Sequence, residues 1–240
     1  MNTKERKRTL YEKYIKRVLD ILCSICALIL LCWLYGILAL AVRIRAGKPV
    51  IFTQKRPGKD EKIFSMYKFR TMTDERDANG RLLPDEARLT RLGRWMRDKS
   101  LDELPEMINI LKGEMSFVGP RPLLVRDMTF MTEEQRRRHC VRPGLTGLAQ
   151  TSGRNALPWD QKLSCDLQYI QKVTFANDLK IIWKTMRQVL FHEKALGDTE
   201  IDEIAITDDL GDYLLKRGRV TKKEYDRKQA EAVRLLRDAK

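Results

Sequence analysis

Asp102 and Glu103 stand side by side where an apolar helix is expected to begin, within the stretch SLDELPEMINILKGEMSFVGPRP from Ser100 to Pro122. A rigid Gly119, Pro120, Arg121, Pro122 turn follows that helix. This is the layout of a phosphate site. A helix start offers unpaired backbone N–H groups and the positive end of the macrodipole, which hold anionic oxygens. An arginine fixed between two prolines presents a preset fork of donors to the same oxygens. A structural reading competes, because Ser100 followed three residues later by Glu103 has the spacing of a capping box, and acidic residues are common in any first helical turn.

These residues need elements to position them. The helix is expected from about Leu101 to Lys112, with Gly113 as its C-cap. Two strand-like runs precede it, Ile51 to Lys55, closed by Pro57 and Gly58, and Ile63 to Phe69. A polar segment with Asn79, Gly80 and Pro84 reads as a surface loop. From Asp85 to Lys99 the pattern is helical and cationic: Leu89, Leu92 and Met96 share a face, Arg88, Arg91, Arg94 and Arg97 crowd the rest, and Trp95 lies near the boundary. Such a helix suits a bilayer surface, or packs on the domain as a solvated helix. After a loop rich in Arg, Pro and Gly (Arg142 to Arg154), where Gly144, Gly147 and Gly153 allow tight turns and close backbone approach, helices are expected near Trp159 to Gln171 and from Asp178 to Phe191.

The chain has 240 residues and a formal net charge of +14, from 47 basic against 33 acidic residues. That length can bury a real core, and that charge points to an anionic partner. Nucleic acid, anionic lipid and phosphorylated substrates all qualify. The apolar segment decides among them, since no charged residue occurs from Ile21 to Val42, and a helix of that length spans about 33 Å, roughly a bilayer core. The run is too long for a signal-peptide h-region and lacks a small-residue cleavage site. No nucleic-acid motif or interleaved aromatic pattern accompanies the charge. Cys23, Cys26 and Cys32 fall inside the apolar run, where they behave as small hydrophobes. His139 and His192 show no relay or metal pattern and read as structural.

Five separate motifs, FTQKRPG (Phe52 to Gly58), YKFRTM (Tyr67 to Met72), the Ser100 to Pro122 segment, VRPGLTGLAQTSGRN (Val141 to Asn155) and DLQYI (Asp166 to Ile170), follow one another in an order and spacing that resembles the small monotopic bacterial phosphoglycosyl transferases. The resemblance covers roughly residues 10 to 190. It implies an enzyme moving a sugar 1-phosphate from a UDP-sugar to a polyprenol phosphate, usually undecaprenyl phosphate, with release of UMP. The product would start a glycan chain and pass to downstream glycosyltransferases. The implied fold is α-rich α+β: an N-terminal membrane-embedded, re-entrant helix, interfacial amphipathic helices and a compact cytoplasmic catalytic domain with a few short strands. The expected organisation is a basic N-terminus and membrane helix (1–48), a catalytic domain (49–196) and a charged helical C-terminal extension (197–240). The chain is expected at the bacterial cytoplasmic membrane, with its catalytic domain on the cytoplasmic face.

Attack on a diphosphate needs a positioned nucleophile and a divalent cation, because both partners are negative. A carboxylate can be that nucleophile, giving an acyl-phosphate intermediate. Asp102 is the candidate, with Glu103 as ligand to Mg²⁺, which prefers hard oxygens. The resemblance implies the same two roles. Arg97 and Arg121 are assigned to phosphate; Lys68, Arg70, Arg142 and Arg154 are further candidates for the diphosphate, the uridine or the lipid phosphate. Taken singly, each is as readily a surface charge or a structural partner.

Two departures matter. Family members commonly break the apolar helix with a Ser-Pro pair, whereas the corresponding stretch here, LLCWLYG (Leu30 to Gly36), has no proline. The expected re-entrant bend then lies near Trp33 to Gly36, with a straight transmembrane helix as its rival. After Leu196 an acidic stretch precedes a basic helix that begins at the capping-box spacing Thr221 to Glu224. Nucleotide sensing, partner docking and an uninvolved solvated helix are the readings of that extension. A membrane-anchored adaptor acting through it is the alternative function, which loss of the carboxylate pair would favour. Both carboxylates are present.

Overall fold

Strand-forming residues close on one another across a proline–glycine stop. Ile51–Pro57 (β1) and Ile63–Phe69 (β2) form a two-stranded sheet, and Gly58 N–H donates to Lys62 O at 2.8 Å in the turn between them. The computed structural model describes residues 8–153, 157–191 and 209–239. Helices dominate, with two further short strands, Ser116–Val118 (β3) and Gly144–Thr146 (β4). Contacts divide the chain into one unit of Asp20–Gln54 and Ser65–Lys112, and another of Met1–Leu19, Lys55–Phe64 and Gly113–Lys240.

In the first of these units the apolar segment is not one straight helix. The helical stretch Tyr11–Leu30, which includes the α-helix Lys16–Leu30, meets Cys32–Arg45 at Leu31 with a bend of 65°. The bend expected near Trp33 to Gly36 thus falls earlier, at a residue with φ −102° and ψ 7°, outside the helical well. No proline is involved: Leu31 N–H donates to Ala27 O and Tyr35 N–H to Leu31 O, each at 3.0 Å. Packing accounts for the change of direction. Beyond the break, Leu34, Leu38, Val42 and Ala46 join Phe69 and Met96 in a core lined by Leu92, Leu101 and Leu104. No single described helix is long and apolar enough to cross a membrane, but the bent pair meets that test together. Its outer face bares Leu22, Ile29, Leu30, Trp33, Leu40 and Ile44, an apolar surface that water disfavours.

Two expected helices are interrupted. The Asp85 to Lys99 pattern divides into Asp85–Arg88 and Arg91–Asp98, because Leu89 is extended and bridges Met72 while the Thr90 hydroxyl caps Gly93 N–H. Met96 is fully buried and Trp95 is 48% exposed. The Leu101 to Lys112 helix becomes a 3₁₀ turn, Leu101–Glu103, followed by the α-helix Glu106–Lys112. Pro105 between them has no N–H to continue the ladder. Gly113 does end this helix, in the left-handed conformation at φ +89°.

The other unit is built around the parallel pair β3 and β4, with Ser116 opposite Gly144 and Val118 opposite Thr146. Helices Trp159–Gln171 and Phe175–Phe191, both close to expectation, cover it through Val118, Val141, Tyr169, Ile170, Val173 and Ile181. The buried Asp178 carboxylate gathers the Tyr11 and Tyr169 hydroxyls, each at 2.8 Å, and the Lys16 ammonium. The described part of the C-terminal extension is packed, so the reading of an uninvolved solvated helix does not hold for it. Helix Leu210–Lys216 buries Leu210 and Tyr213 against Phe130, Met131, Trp159 and Leu163, and helix Lys222–Asp238 buries Ala232 against Val125 and Met128. Its N-cap is Thr221, whose hydroxyl accepts Glu224 N–H at 3.2 Å. The acidic residues from 198 to 208 lie outside the described residues.

Candidate active site

Four of the residues singled out by their chemistry come together in the unit that holds the bent helix. Along β2 the side chains of Phe64, Met66 and Lys68 share one face by the period of two, and Phe64 and Met66 are buried. Lys68 therefore points inward, where its ammonium lies 2.7 Å from Glu103 Oε1 and 3.2 Å from Glu106 Oε1. Asp102 is 8% exposed on the Leu101–Glu103 turn. Arg97, on the Arg91–Asp98 helix, donates through Nε to Thr71 Oγ1 at 3.1 Å. Burial pushes the Asp102 carboxyl above its ordinary range; Lys68 opposes this, adjacent Glu103 adds to it, and Arg97 and the residue's own N–H lower it again. Three carboxylates (Asp102, Glu103, Glu106) against two cations (Lys68, Arg97) leave an excess of one negative charge when all are ionised.

The capping-box alternative does not hold here. Ser100 adopts the left-handed conformation, φ 55° and ψ 25°, and its side chain makes no cap hydrogen bond. The carboxylates are thus displayed by a tight turn, not spent on a helix end. The Tyr35 hydroxyl donates to Leu104 O at 2.6 Å, pinning the residue that follows the pair.

The remaining candidates are placed differently. Arg70 is buried, with its guanidinium donating to Met72 O at 2.8 Å and to Lys48 O, and pairing with Asp74 at 2.5 Å. Arg121 and Arg142 belong to the other unit. Arg142 donates to Gly113 O at 2.7 Å, satisfying a carbonyl past a helix end. Arg121 is exposed on a firmly held turn, in which Pro120 O accepts Gly144 N–H at 3.0 Å, Arg121 O accepts from Arg138 at 2.6 Å and Pro122 O accepts from Arg56 at 3.3 Å. Gly119 and Gly144 approach so closely that a Cβ on either would strike the other's backbone, and one on Gly147 would strike Gly119 O. Arg154 and His192 lie outside the described residues. His139 is buried and held near a pKa of about 4 by burial and by Arg138 beside it, which keeps it neutral and structural.

Sequence reasoning missed Glu106, Arg138 and the role of Asp166. Arg138 donates to Asp166 Oδ2 at 2.9 Å, and both are buried. Glu106 lies one helical turn after Asp102 and Glu103, a spacing that could have raised it. Arg138 is hidden within a run of arginines.

Among the described residues no group of three or more His, Cys, Asp or Glu side chains is arranged to hold a metal ion. The Glu103 carboxylate, which shares the Lys68 ammonium with Glu106, offers one hard oxygen ligand, and Mg²⁺ characteristically takes only one or two protein carboxylates and completes its shell with phosphate and water.

The bacterial sugar transferase family model matches residues 11–192. A sugar transferase of Bacillus subtilis (strain 168), EpsL, is 55% identical over 152 residues, 63% of this chain and 75% of the relative. The undecaprenyl-phosphate galactose phosphotransferase of Salmonella typhimurium is 36% identical over 201 residues, 77% of this chain and 42% of that protein. The undecaprenyl-phosphate glucose phosphotransferase of Komagataeibacter xylinus is 38% identical over 198 residues, 75% of this chain and 36% of that protein. The chain thus spans less than half the length of those two phosphotransferases. All five motifs and the carboxylate pair fall inside the matched residues, and the chain belongs to the bacterial sugar transferase family, as an enzyme.

Proposed function

We propose that the protein transfers a sugar 1-phosphate from a UDP-sugar to undecaprenyl phosphate, releasing UMP, as an early membrane step of surface-glycan assembly. The observation that carries the reading is the buried Asp102, set on a tight turn beside Glu103 with Lys68 and Arg97 near enough to bias its charge. Relatives named as undecaprenyl-phosphate sugar phosphotransferases support the acceptor.

In the first step an Asp102 oxygen attacks the sugar-bearing phosphorus. An acyl-phosphate O–P bond forms, the bridging P–O bond breaks, and its electron pair leaves with UMP. In the second, a phosphate oxygen of the lipid attacks the same phosphorus; the new P–O–P bond forms and the Asp102 carboxylate is restored. Arg97 is assigned to phosphate oxygens through charge-assisted hydrogen bonds, and so, independently, is Arg121. Lys68 keeps Glu103 and Glu106 compensated. Glu103 would hold Mg²⁺, which would supply charge neutralisation on the diphosphate. The exposed apolar face of the bent pair favours a re-entrant seat in the bilayer, and the nucleotide donor favours the cytoplasmic face.

The test is UMP release by nanodisc-held protein given undecaprenyl phosphate, Mg²⁺ and a panel of UDP-sugars. Release with one or a few sugars, dependent on the lipid for multiple turnovers, is expected. No release with any UDP-sugar would overturn the donor assignment.

A further inference from the structure

Residues 209–239 lie beyond the family match, yet they hold the segment that carries Arg121. Helix Val125–Phe130 starts three residues after Pro122. Asp127, 2% exposed, accepts Leu124 N–H through Oδ2 at 2.9 Å and Leu210 N–H through Oδ1 at 3.1 Å. One buried carboxylate therefore caps two helices, the one behind the Arg121 turn and the first helix of the C-terminal extension. Around it Arg126 pairs with Asp209, and a Cβ on Gly211 would strike the Phe130 ring.

The far end of the extension reaches the same turn by another route. The Lys55 ammonium lies 3.1 Å from Leu236 O and 3.2 Å from Ala239 O, satisfying the last carbonyls of helix Lys222–Asp238. Its neighbour Arg56 donates to Pro122 O at 3.3 Å. The extension thus holds the C-terminal side of the turn from two directions, at Pro122 and at Asp127, and the turn's two prolines leave it little freedom to take up slack.

We infer that residues 209–239 form a strap that orients the Arg121 guanidinium, with Asp127 as its positioning residue. This rests on the reading that Arg121 grips phosphate. A strap that only stabilised the fold would weaken every function alike. One acting through Arg121 must lose its effect when that side chain is absent.

The experiment is a double-mutant cycle on the full-length protein in nanodiscs, reading the affinity for UDP by calorimetry. Arg121→Ala should weaken UDP about 10-fold, and Asp127→Asn about 5-fold in the native background but less than about 2-fold beside Arg121→Ala. Should Asp127→Asn fail to fold, Arg126→Glu strikes the same junction at the surface. It should cost about 3-fold, be rescued by Asp209→Arg, and cost nothing beside Arg121→Ala. Equal losses in both backgrounds would overturn the strap and leave Arg121 at the phosphate. Native affinity in Arg121→Ala would remove the phosphate role and the strap with it.

Discussion

The Lys68 ammonium bridges two carboxylates, 2.7 Å from Glu103 and 3.2 Å from Glu106, and it does so from the inward face of β2. It also lowers the pKa of Asp102, against the burial that raises it. A single cation thus acts on all three carboxylates of the cluster. Lys68→Met should leave Asp102 with burial and Glu103, both of which disfavour its charge. In the proposed mechanism turnover requires the carboxylate, so the acid limb of kcat/KM should move to higher pH in the variant. An acid limb that stays in place would detach Lys68 from the nucleophile.

Asp102→Asn should lower UMP release by about 10³-fold or more, since the amide cannot attack phosphorus. Mass spectrometry of native protein given a productive UDP-sugar without lipid should find a phosphosugar on the Asp102 peptide, absent from the variant. The sign of the stability change is also fixed. Folding raises the Asp102 pKa, so ionisation costs stability above the unfolded value, and the penalty disappears as pH falls below that value, about 4. Asp102→Asn should therefore melt higher than native protein near pH 7 and lose that advantage below pH of about 4. A lower Tm at neutral pH would contradict the buried, destabilising charge.

Glu103→Gln removes the charged oxygen proposed to hold Mg²⁺ and also one partner of Lys68. The Mg²⁺ concentration for half-maximal UMP release should rise about 10-fold or more, with the Tm changing little because Glu106 retains the ammonium. Unchanged metal dependence would remove Glu103 from the metal.

Much of this arrangement was legible where local chemistry decides it. The strands Ile51–Pro57 and Ile63–Phe69, the helix Trp159–Gln171 and the Gly113 stop follow from alternation, periodicity and a glycine cap. What was not legible depends on partners distant in sequence. Leu89 continues a helical pattern by spacing but pairs with Met72 instead, and nothing near Leu31 announces a bend that packing on Phe69 and Met96 favours. At the site, Asp102 and Glu103 could be named from motif and chemistry. The partner of Lys68 could not, because it lies 35 residues away in the chain. The same holds for Asp127, whose second donor is 83 residues off.

Deleting residues 209–239 should destroy the cooperative fold of the unit that contains them. The deletion bares Phe130, Met131, Trp159 and Leu163 where Leu210 and Tyr213 covered them, and Val125 and Met128 where Ala232 did. Reburial of that surface is worth roughly 5 kcal/mol, comparable with the net stability of a typical domain. Aggregation or a lost melting transition is expected. A soluble truncated protein with native Tm would show that the extension is peripheral.

Length, bend and charge together bear on how the bent pair sits in the bilayer. Helix Cys32–Arg45, of 14 residues, reaches only about 21 Å, short of the roughly 30 Å hydrocarbon core, and no single described helix is long and apolar enough to cross it. A straight crossing would need the two halves in line, and they are bent by 65°. Basic residues flank both ends, seven from Lys4 to Arg17, and Arg43, Arg45, Lys48, Lys55, Arg56 and Lys59 beyond. Orientation follows the Lys/Arg difference across a span, so near balance gives neither end cause to leave the cytoplasm. A hairpin entering and leaving by the cytoplasmic face satisfies length, bend and charge together. In a background without the five native cysteines, single cysteines at Thr3 and at Lys59 should both resist a membrane-impermeant maleimide in intact cells, and both should react once the inner membrane is permeabilised. Labelling at residue 3 alone in intact cells would put the N-terminus outside and require the pair to straighten into a span.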